Sequence, residues 1–360
     1  MLPALPKNRA IRALLIDVVD SRIDFWDARV YLDELVRLTE TAGGIAIVEV
    51  IQKRGKPDKK GYIGSGKLED AKELAKEKKI DLIITNGMLK SNQMIFLQDT
   101  FKLPIWDKVD LILHIFDKHA STDEAKLQIK LARLKYQIPR IYTYQATTLF
   151  ERSGAGIGTR GAGERGIEDE KRHLRKMIKQ VEKKIEQARV VRENQRQKRK
   201  RKNLPMVAIV GYTNAGKSTF LRALTGKKVY VADELFATLD THIGRIWSQE
   251  LTNYILFADT IGFIRNLPPF LIDSFKATLE EARSADLILH IFDGSDPKWK
   301  EKIQTTKDIL EQINCEDIPT MLVANKNDLG CPLDKDIISV SSHKKKGFKE
   351  LIEKIEKFFG

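Results

Sequence analysis

Cysteine is nearly missing from this sequence: 360 residues hold two, Cys315 and Cys331. Two thiols build no disulfide framework, and their separation is not that of a metal-binding pair, so a reducing, cytoplasmic setting is expected. Long apolar runs are missing too. Leu111-Ile112-Leu113 stops at His114, far short of the roughly 18 residues that a membrane span needs, and no membrane span is expected. The run Ala13–Val19 is interrupted by Asp17 and shows no cleavage-like site, which argues against a secretory signal. Glycine and proline, 22 and 11 residues, are too few for a collagen-like chain.

What is present is a charged, globular composition, 42% hydrophobic and 31% charged. The length predicts two or three domains. The net charge of +13 is unevenly placed: Leu204–Gly360 carries 20 basic and 22 acidic residues, whereas Glu168–Asn203 carries 15 basic and 6 acidic. The tract Arg196-Gln197-Lys198-Arg199-Lys200-Arg201-Lys202 is almost wholly cationic. Such a cluster releases counterions on meeting a phosphate backbone, so contact with RNA or DNA is expected; a solvated linker is the competing reading.

Periodicity divides the chain into three parts with proposed boundaries 1–106, 107–203 and 204–360. In the first, Ala13–Val19, Ile45–Ile51 and Asp81–Thr85 read as buried strands. Asp27–Thr41, Leu68–Lys78 and Ser91–Phe101 read as helices between them, which predicts a small parallel α/β sheet. From Asp107 to Gln137 there is neither Gly nor Pro, and Leu127, Leu131, Leu134 and Ile138 repeat at seam spacing. Leu174, Ile178, Val181 and Ile185 do the same. These predict two long helices in an antiparallel coiled-coil hairpin, connected by residues 139–167. That connection contains Ser153–Gly166 with six glycines and Arg160 and Arg165, and reads as an RNA-facing loop or a linker.

One octapeptide, Asp-Leu-Ile-Leu-His-Ile-Phe-Asp, occurs at 110–117 and again at 286–293. The second copy ends at Gly294 and Pro297, as a buried strand would; the first continues into the stretch without Gly or Pro. The first copy is predicted helical and the second extended. His114 and His290, at the same place in each copy, read as core or capping residues.

The third part contains the chemistry. Met206–Val210 reads as a buried strand leading into Gly211-Tyr212-Thr213-Asn214-Ala215-Gly216-Lys217-Ser218, followed by a helix over Ser218–Leu224. This is a phosphate-binding loop in its proper context. Backbone N–H groups wrap the phosphates, Lys217 reaches the β- and γ-phosphates, and the Ser218 hydroxyl binds Mg²⁺. Asp259-Thr260-Ile261-Gly262 follows the run Tyr254–Ala258; Asp259 is placed to hold the Mg²⁺ shell, and Gly262 to approach the γ-phosphate. Asn325-Lys326-Asn327-Asp328 follows Thr320–Ala324. Asp328 can accept both the N1 and N2 hydrogens of guanine, Lys326 can cover the base, and Asn325 can brace the loop. Ser341-Ser342 can present an N–H to the guanine O6. Thr238, with Thr241 in reserve, is the candidate for Mg²⁺ and the γ-phosphate. The expected nucleotide-binding set is Gly211, Asn214, Ala215, Gly216, Lys217, Ser218, Thr219, Asn325, Lys326, Asp328, Ser341 and Ser342. Ser218, Thr238 and Asp259 form the metal set, and Lys217, Thr238 and Gly262 the catalytic one.

The order of motifs from Gly211 to Ser342 resembles a Ras-like translational GTP-binding domain. Tyr62–Lys67, Lys126–Ile129, Leu134–Arg140 and Gly156–Glu164 are similar to the HflX family of ribosome-associated GTPases. The resemblance covers nearly the whole chain and implies GTP and GDP as substrate and product, Mg²⁺, and the large ribosomal subunit as partner. Where the family usually continues Gly-Glu-Thr-Gln-Leu-Glu, this chain has Gly163-Glu164-Arg165-Gly166-Ile167-Glu168, and Ala162 stands where Pro is common. A divergent, archaeal member and a monomer are expected.

Phe263 stands where many Ras-like enzymes carry the glutamine that orients water, so slow intrinsic hydrolysis is expected. Asn214 has two readings, a ligand that helps to hold K⁺ or a brace within the loop. Gly61–Lys67 also spells G-x-x-x-x-G-K, but Leu68 replaces the metal-binding hydroxyl; it reads as a glycine turn feeding a helix. Lys344–Lys346 reads as a solvated loop. An RNA-remodelling NTPase and a non-catalytic RNA-binding adaptor with structural GTP remain as alternatives to a ribosome-docking GTPase.

Overall fold

A computed structural model describes residues 5–6, 9–141, 160–226, 234–236, 241–330 and 337–360. The chain falls into two compact units, residues 1–118 with 129–182, and residues 119–128 with 183–360.

The first unit alternates strands and helices: β1 (Ile11–Val19), α1 (Phe25–Thr41), β2 (Gly44–Lys53), α2 (Ser65–Glu77), β3 (Leu82–Thr85), α3 (Ser91–Phe101), β4 (Ile105–Asp107) and α4 (Lys108–His119). All pairings are parallel, in the order β2-β1-β3-β4. Helical crossovers bring parallel strands together, and the sheet is buried along Ala13–Ile16 of β1 and Leu82–Ile84 of β3, both apolar. Leu14, Ile16, Ile83, Leu97 and Ile105 anchor one core face with Leu68 and Ala71 of α2. The strand β4 went unseen in the sequence because it has only three residues after Pro104.

The expected helix from Asp107 to Gln137 is two helices. α4 ends at His119 and α5 spans Asp123–Gln137. Thr122 restarts the helix, its hydroxyl accepting from the Ala125 N–H at 3.2 Å. A 3₁₀ turn, Ile138–Arg140, follows. The second long helix, α6 (Arg160–Arg201), begins inside the expected connection and includes Gly161, Gly163 and Gly166, against their propensity. Residues 142–159, most of the glycine-rich loop, lie outside the described residues. Lys135 pairs with Glu182 at 3.3 Å, and Glu124 with Arg192 at 2.9 Å. Numbers fall along one helix as they rise along the other, as antiparallel packing requires. Leu131 and Leu134 of the seam are buried, as is Val181.

The second unit carries β5 (Met206–Val210), α7 (Lys217–Thr225), β6 (His242–Ser248), β7 (Asn253–Asp259), α8 (Pro269–Ser274), α9 (Lys276–Arg283), β8 (Leu287–Asp293), α10 (Trp299–Gln312), β9 (Thr320–Asn325), β10 (Ile338–Ser339) and α11 (Phe348–Phe359). The six strands run β10-β9-β8-β5-β7-β6. Only β6, on the edge, is antiparallel to its neighbour. It was not read from the sequence: Gly244, Arg245 and exposed Trp247 interrupt its apolar pattern.

The repeated octapeptide behaves as predicted, helical within α4 and extended within β8. At the first copy Asp107 acts as a cap, its Oδ1 accepting from the N–H groups of Val109 (2.9 Å) and Asp110 (3.1 Å). At the second, Asp286 exchanges bonds with the Met206 backbone, 2.8 Å each way, and delivers Leu287–Asp293 between β5 and β9. His290 is buried there; its imidazole is pushed down to about 4 by burial, aided by Lys307 and Lys217, and stays neutral. His114 is half-buried against Trp106, with ring centroids 5.1 Å apart.

Asp107 also closes a polar cluster under α5. It accepts from the Tyr136 hydroxyl at 2.5 Å, the Leu89 N–H at 2.9 Å and Arg140 at 2.6 Å. Arg140 reaches Asp110 at 3.1 Å and covers the Tyr136 ring at 3.9 Å. Burial, then the charge of Asp107, raises the Asp110 carboxyl above the usual range, with Arg140 opposing. Arg140→Ala strands the buried carboxylate of Asp107 beside half-buried Asp110, and urea unfolding should show a loss of about 3 kcal/mol. A raised carboxyl contributes fully at acid pH and loses that contribution as pH rises through its folded value. Asp110→Asn should therefore flatten the decline in stability between about pH 4 and pH 7.

Candidate nucleotide-binding site

The site is built at the carboxyl end of β5. All five residues of the strand are buried, so the chain must leave the sheet through a turn that buries little of its own polar backbone. Gly211 takes φ of +152°, and a Cβ there would strike the Ile291 carbonyl oxygen; only glycine fits. Asn214 adopts left-handed φ of 60° and Gly216 of 86°, and Gly216 caps α7.

Lys217 turns back under this loop. Its Nζ donates to the carbonyls of Gly211 (3.1 Å) and Tyr212 (2.9 Å). Burial lowers the ammonium to about 8, while Asp259 pulls it upward. Ser218 donates to Asp259 Oδ2 at 2.6 Å, and Asp259 is buried at the end of β7, in register with Ile209 of β5. A hydroxyl and a carboxylate are hard oxygen donors, which fit Mg²⁺. A Cβ on Gly262 would stand 3.0 Å from Lys217 Nζ and 3.0 Å from Thr213 Cα, so the D-x-x-G segment lies against the phosphate loop.

Phe263 was read as standing in the water-orienting position; the backbone bonds of the residues after that segment were not foreseen. The Phe263 N–H donates to Gly211 O (3.1 Å), the Thr213 N–H donates to Phe263 O (2.7 Å), and the Arg265 N–H donates to the Tyr212 hydroxyl (2.9 Å). The Phe263 side chain is buried and supplies no group to orient water. Only the apolar character of Phe263-Ile264 hinted at this packing.

At the other end of the loop, Asn325 Nδ2 donates to Ala215 O at 2.9 Å. Asn325 Oδ1 accepts from the Ser342 N–H (3.1 Å) and hydroxyl (2.8 Å). Ser341 donates to Asp328 Oδ1 at 2.6 Å and holds that carboxyl below its ordinary range. Lys326, at φ of 64°, pairs with Asp293 at 2.8 Å. Asp293 is the last residue of the repeated octapeptide, and its role was not legible there. The structure thus brings Gly211–Ser218, Asp259 and Gly262 together and joins them to Asn325, Ser341 and Ser342. Thr219 lies half-buried in the first turn of α7. Thr238 lies outside the described residues; Thr241 directly precedes β6.

The second G-x-x-x-x-G-K stretch differs in its donors. The N–H groups of Lys60 and Gly61 go to Asp58 Oδ1 at 2.8 and 3.0 Å, and that of Gly64 goes to Gln52 Oε1 at 2.7 Å. Side chains hold the donors that a phosphate loop keeps for its ligand, and the segment is a glycine turn into α2. Among the described residues no cluster of His, Cys, Asp or Glu could hold a metal by itself, and no helix is long and apolar enough to cross a membrane.

Comparisons place this geometry among known proteins. Residues 29–117 match the GTP-binding GTPase N-terminal family, residues 119–199 the GTP-binding GTPase middle region, and residues 206–326 the 50S ribosome-binding GTPase family. The chain is 42% identical over 350 residues to GTPase HflX of Caldanaerobacter subterraneus, covering 96% of this chain and 80% of that one. It is 39% identical to GTPase HflX of Escherichia coli, covering 83% and 69%. The crystal structure of the SsGBP–GDP complex superposes with a TM-score of 0.53 at 26% identity, covering 97% and 98%.

Gly262→Ala inserts a methyl between Lys217 and Thr213. Titration with fluorescent nucleotides should show GTP-analogue affinity falling about tenfold, with GDP affinity changed far less.

Proposed function

Because the chain belongs to the HflX family of GTPases, and so binds and hydrolyses GTP, we propose that it couples hydrolysis to docking on the large ribosomal subunit. The observation that carries this reading is Phe263. It comes directly after the D-x-x-G motif, its side chain is buried, and its backbone is bonded to the phosphate loop. A site with no water-orienting side chain at this position hydrolyses slowly and calls for a partner to complete it. The match of residues 206–326 to a 50S ribosome-binding GTPase family supports the subunit as that partner. The basic charge between 168 and 203 supports contact with its RNA. The three functional parts are 1–106, 107–203 and 204–360. The protein acts as a cytoplasmic monomer, in a translation or ribosome-recycling step.

In the proposed reaction water attacks the γ-phosphorus in line and GDP leaves with inorganic phosphate. Lys217 exchanges its carbonyl partners for phosphate oxygens and stabilises the charge that develops there. Ser218, Asp259 and Thr238 would hold Mg²⁺, which neutralises phosphate charge when bound. Gly262 presents its N–H to the γ-phosphate. Asp328 accepts from guanine, its Oδ1 held by Ser341; Lys326 covers the base, and Asn325 with Ser342 keeps the base loop attached to the phosphate loop. Asn214, in its left-handed conformation at the loop's crest, is the residue to hold K⁺ in place of an arginine finger.

Asp328→Asn replaces an acceptor with an amide. GTP binding should weaken by about 10²-fold or more, while xanthosine triphosphate, which offers a carbonyl at C2, should gain. Competition titrations read both.

Purified large subunits should raise GTP turnover in potassium buffer by about tenfold or more, well under the 10³–10⁵ of an arginine finger. Equal turnover with and without subunits, binding intact, would overturn the ribosome reading. Equal rates in Na⁺ and K⁺ would remove the role given to Asn214.

A further inference from the structure

The basic helix α6 does not point all its charge at water. Arg192, Arg196 and Arg199 recur at i, i+4 and i+7 and so share one face. Their side chains are only 14–21% exposed, whereas Gln197, Lys198, Arg201 and Lys202 are exposed. The partners of that face are carboxylates: Glu124 of α5, Glu280 and Glu281 of α9, and Glu193 of α6 itself, 3.5 Å from Arg196. Arg192 pairs with Glu124 of α5 at 2.9 Å and Glu280 of α9 at 3.1 Å. Arg199 bonds Glu281 of α9 at 3.1 Å. Arg196 stands 3.6 Å from Glu280 and 3.7 Å from Glu281.

The Arg196 contacts are ionic but poorly bonded: its buried Nε and Nη2 have no hydrogen-bond partner. A guanidinium taken from water without its hydrogen bonds is badly compensated. An anion able to wrap it would compete well.

A phosphodiester is such an anion. It offers paired oxygens to a guanidinium as a carboxylate does, and it repeats along a strand as these arginines repeat along a helix. The array extends through exposed Lys198, Arg201 and Lys202, which suits a linear polyanion better than a single acidic side chain. We propose that the Arg192–Arg196–Arg199 face is a binding surface for RNA backbone, occupied in cis by Glu280 and Glu281. This rests on the RNA contact proposed above and adds where that contact lies and what covers it. RNA that takes the arginines frees α9, which comes after the D-x-x-G segment with only the short α8 between. Contact with RNA is thereby transmitted to the side of the site that faces the γ-phosphate.

The full-length chain and a fluorescently labelled single-stranded RNA test this by anisotropy across about 50–200 mM salt. In Glu280→Gln/Glu281→Gln, Arg196 and Arg199 lose their α9 carboxylates, while Arg192 keeps Glu124. RNA should bind about tenfold tighter at the low-salt end, and the slope of log affinity against log salt should steepen by about 1.4, for two cations on a single strand. Adding Arg196→Gln should remove about half of the extra slope. Glu281→Gln alone, a milder change, should give part of the gain if the double variant folds poorly, as thermal unfolding will show. Wild-type affinity and slope in a folded variant would overturn the proposal. So would absence of RNA binding by the released form. GTP turnover on the same preparation, with and without subunits, judges the functional reading separately.

Discussion

A buried ammonium sets the terms for the nucleotide site. Lys217 is buried away from solvent, and a charge in that position must find dipoles or be lost. It finds the carbonyls of Gly211 and Tyr212, which requires the loop to curl over it, and the curl requires a residue without Cβ against Ile291. The Gly211 carbonyl is shared. It accepts from Lys217 Nζ and from the Phe263 N–H, both at 3.1 Å. One oxygen therefore joins Lys217 to the segment after the D-x-x-G motif. When Lys217 changes partners, the atom that anchors Phe263 changes its bonding too.

The two ends of the site are held to each other by the same economy of backbone groups. The Asn325 amide spans from Ala215 O to Ser342, so one side chain joins the Gly211–Ser218 loop to the segments after β9 and β10. The β5 and β7 ends bring Ser218 and Asp259 to 2.6 Å, because register between adjacent parallel strands fixes the distance between the loops at their carboxyl ends.

Most of this was legible in the sequence, for a definite reason. Each motif comes after a short apolar strand, and strand ends in a parallel sheet converge on one edge. Ranges such as Met206–Val210 and Ser91–Phe101 reappear unchanged, since burial on both faces or a clear helical period leaves few alternatives. The elements that escaped were set by tertiary contacts. β4 is too short to show a period, and β6, on an edge, is half-polar. The break between α4 and α5 rests on a Thr122 cap, in a stretch whose lack of Gly and Pro suggested continuity. Glu280 and Glu281 look like any solvated helical pair, and nothing local announces that they face Arg192, Arg196 and Arg199. Zipper contacts from Phe263 and Arg265 are made by main-chain atoms, which sequence does not distinguish.

The repeated octapeptide has a consequence for how the chain reaches this state. While unfolded, it carries two identical candidates for the central position beside β5. The copy at 110–117 emerges first from synthesis, and the copy at 286–293 is the one that belongs there. Strand insertion needs distant partners, whereas a capped helical turn forms locally on a roughly microsecond scale. Asp107 therefore acts in time as well as in space. The cap favours helix for the first copy through bonds made within four residues, whereas the second copy is extended only through pairing with β5 and β9.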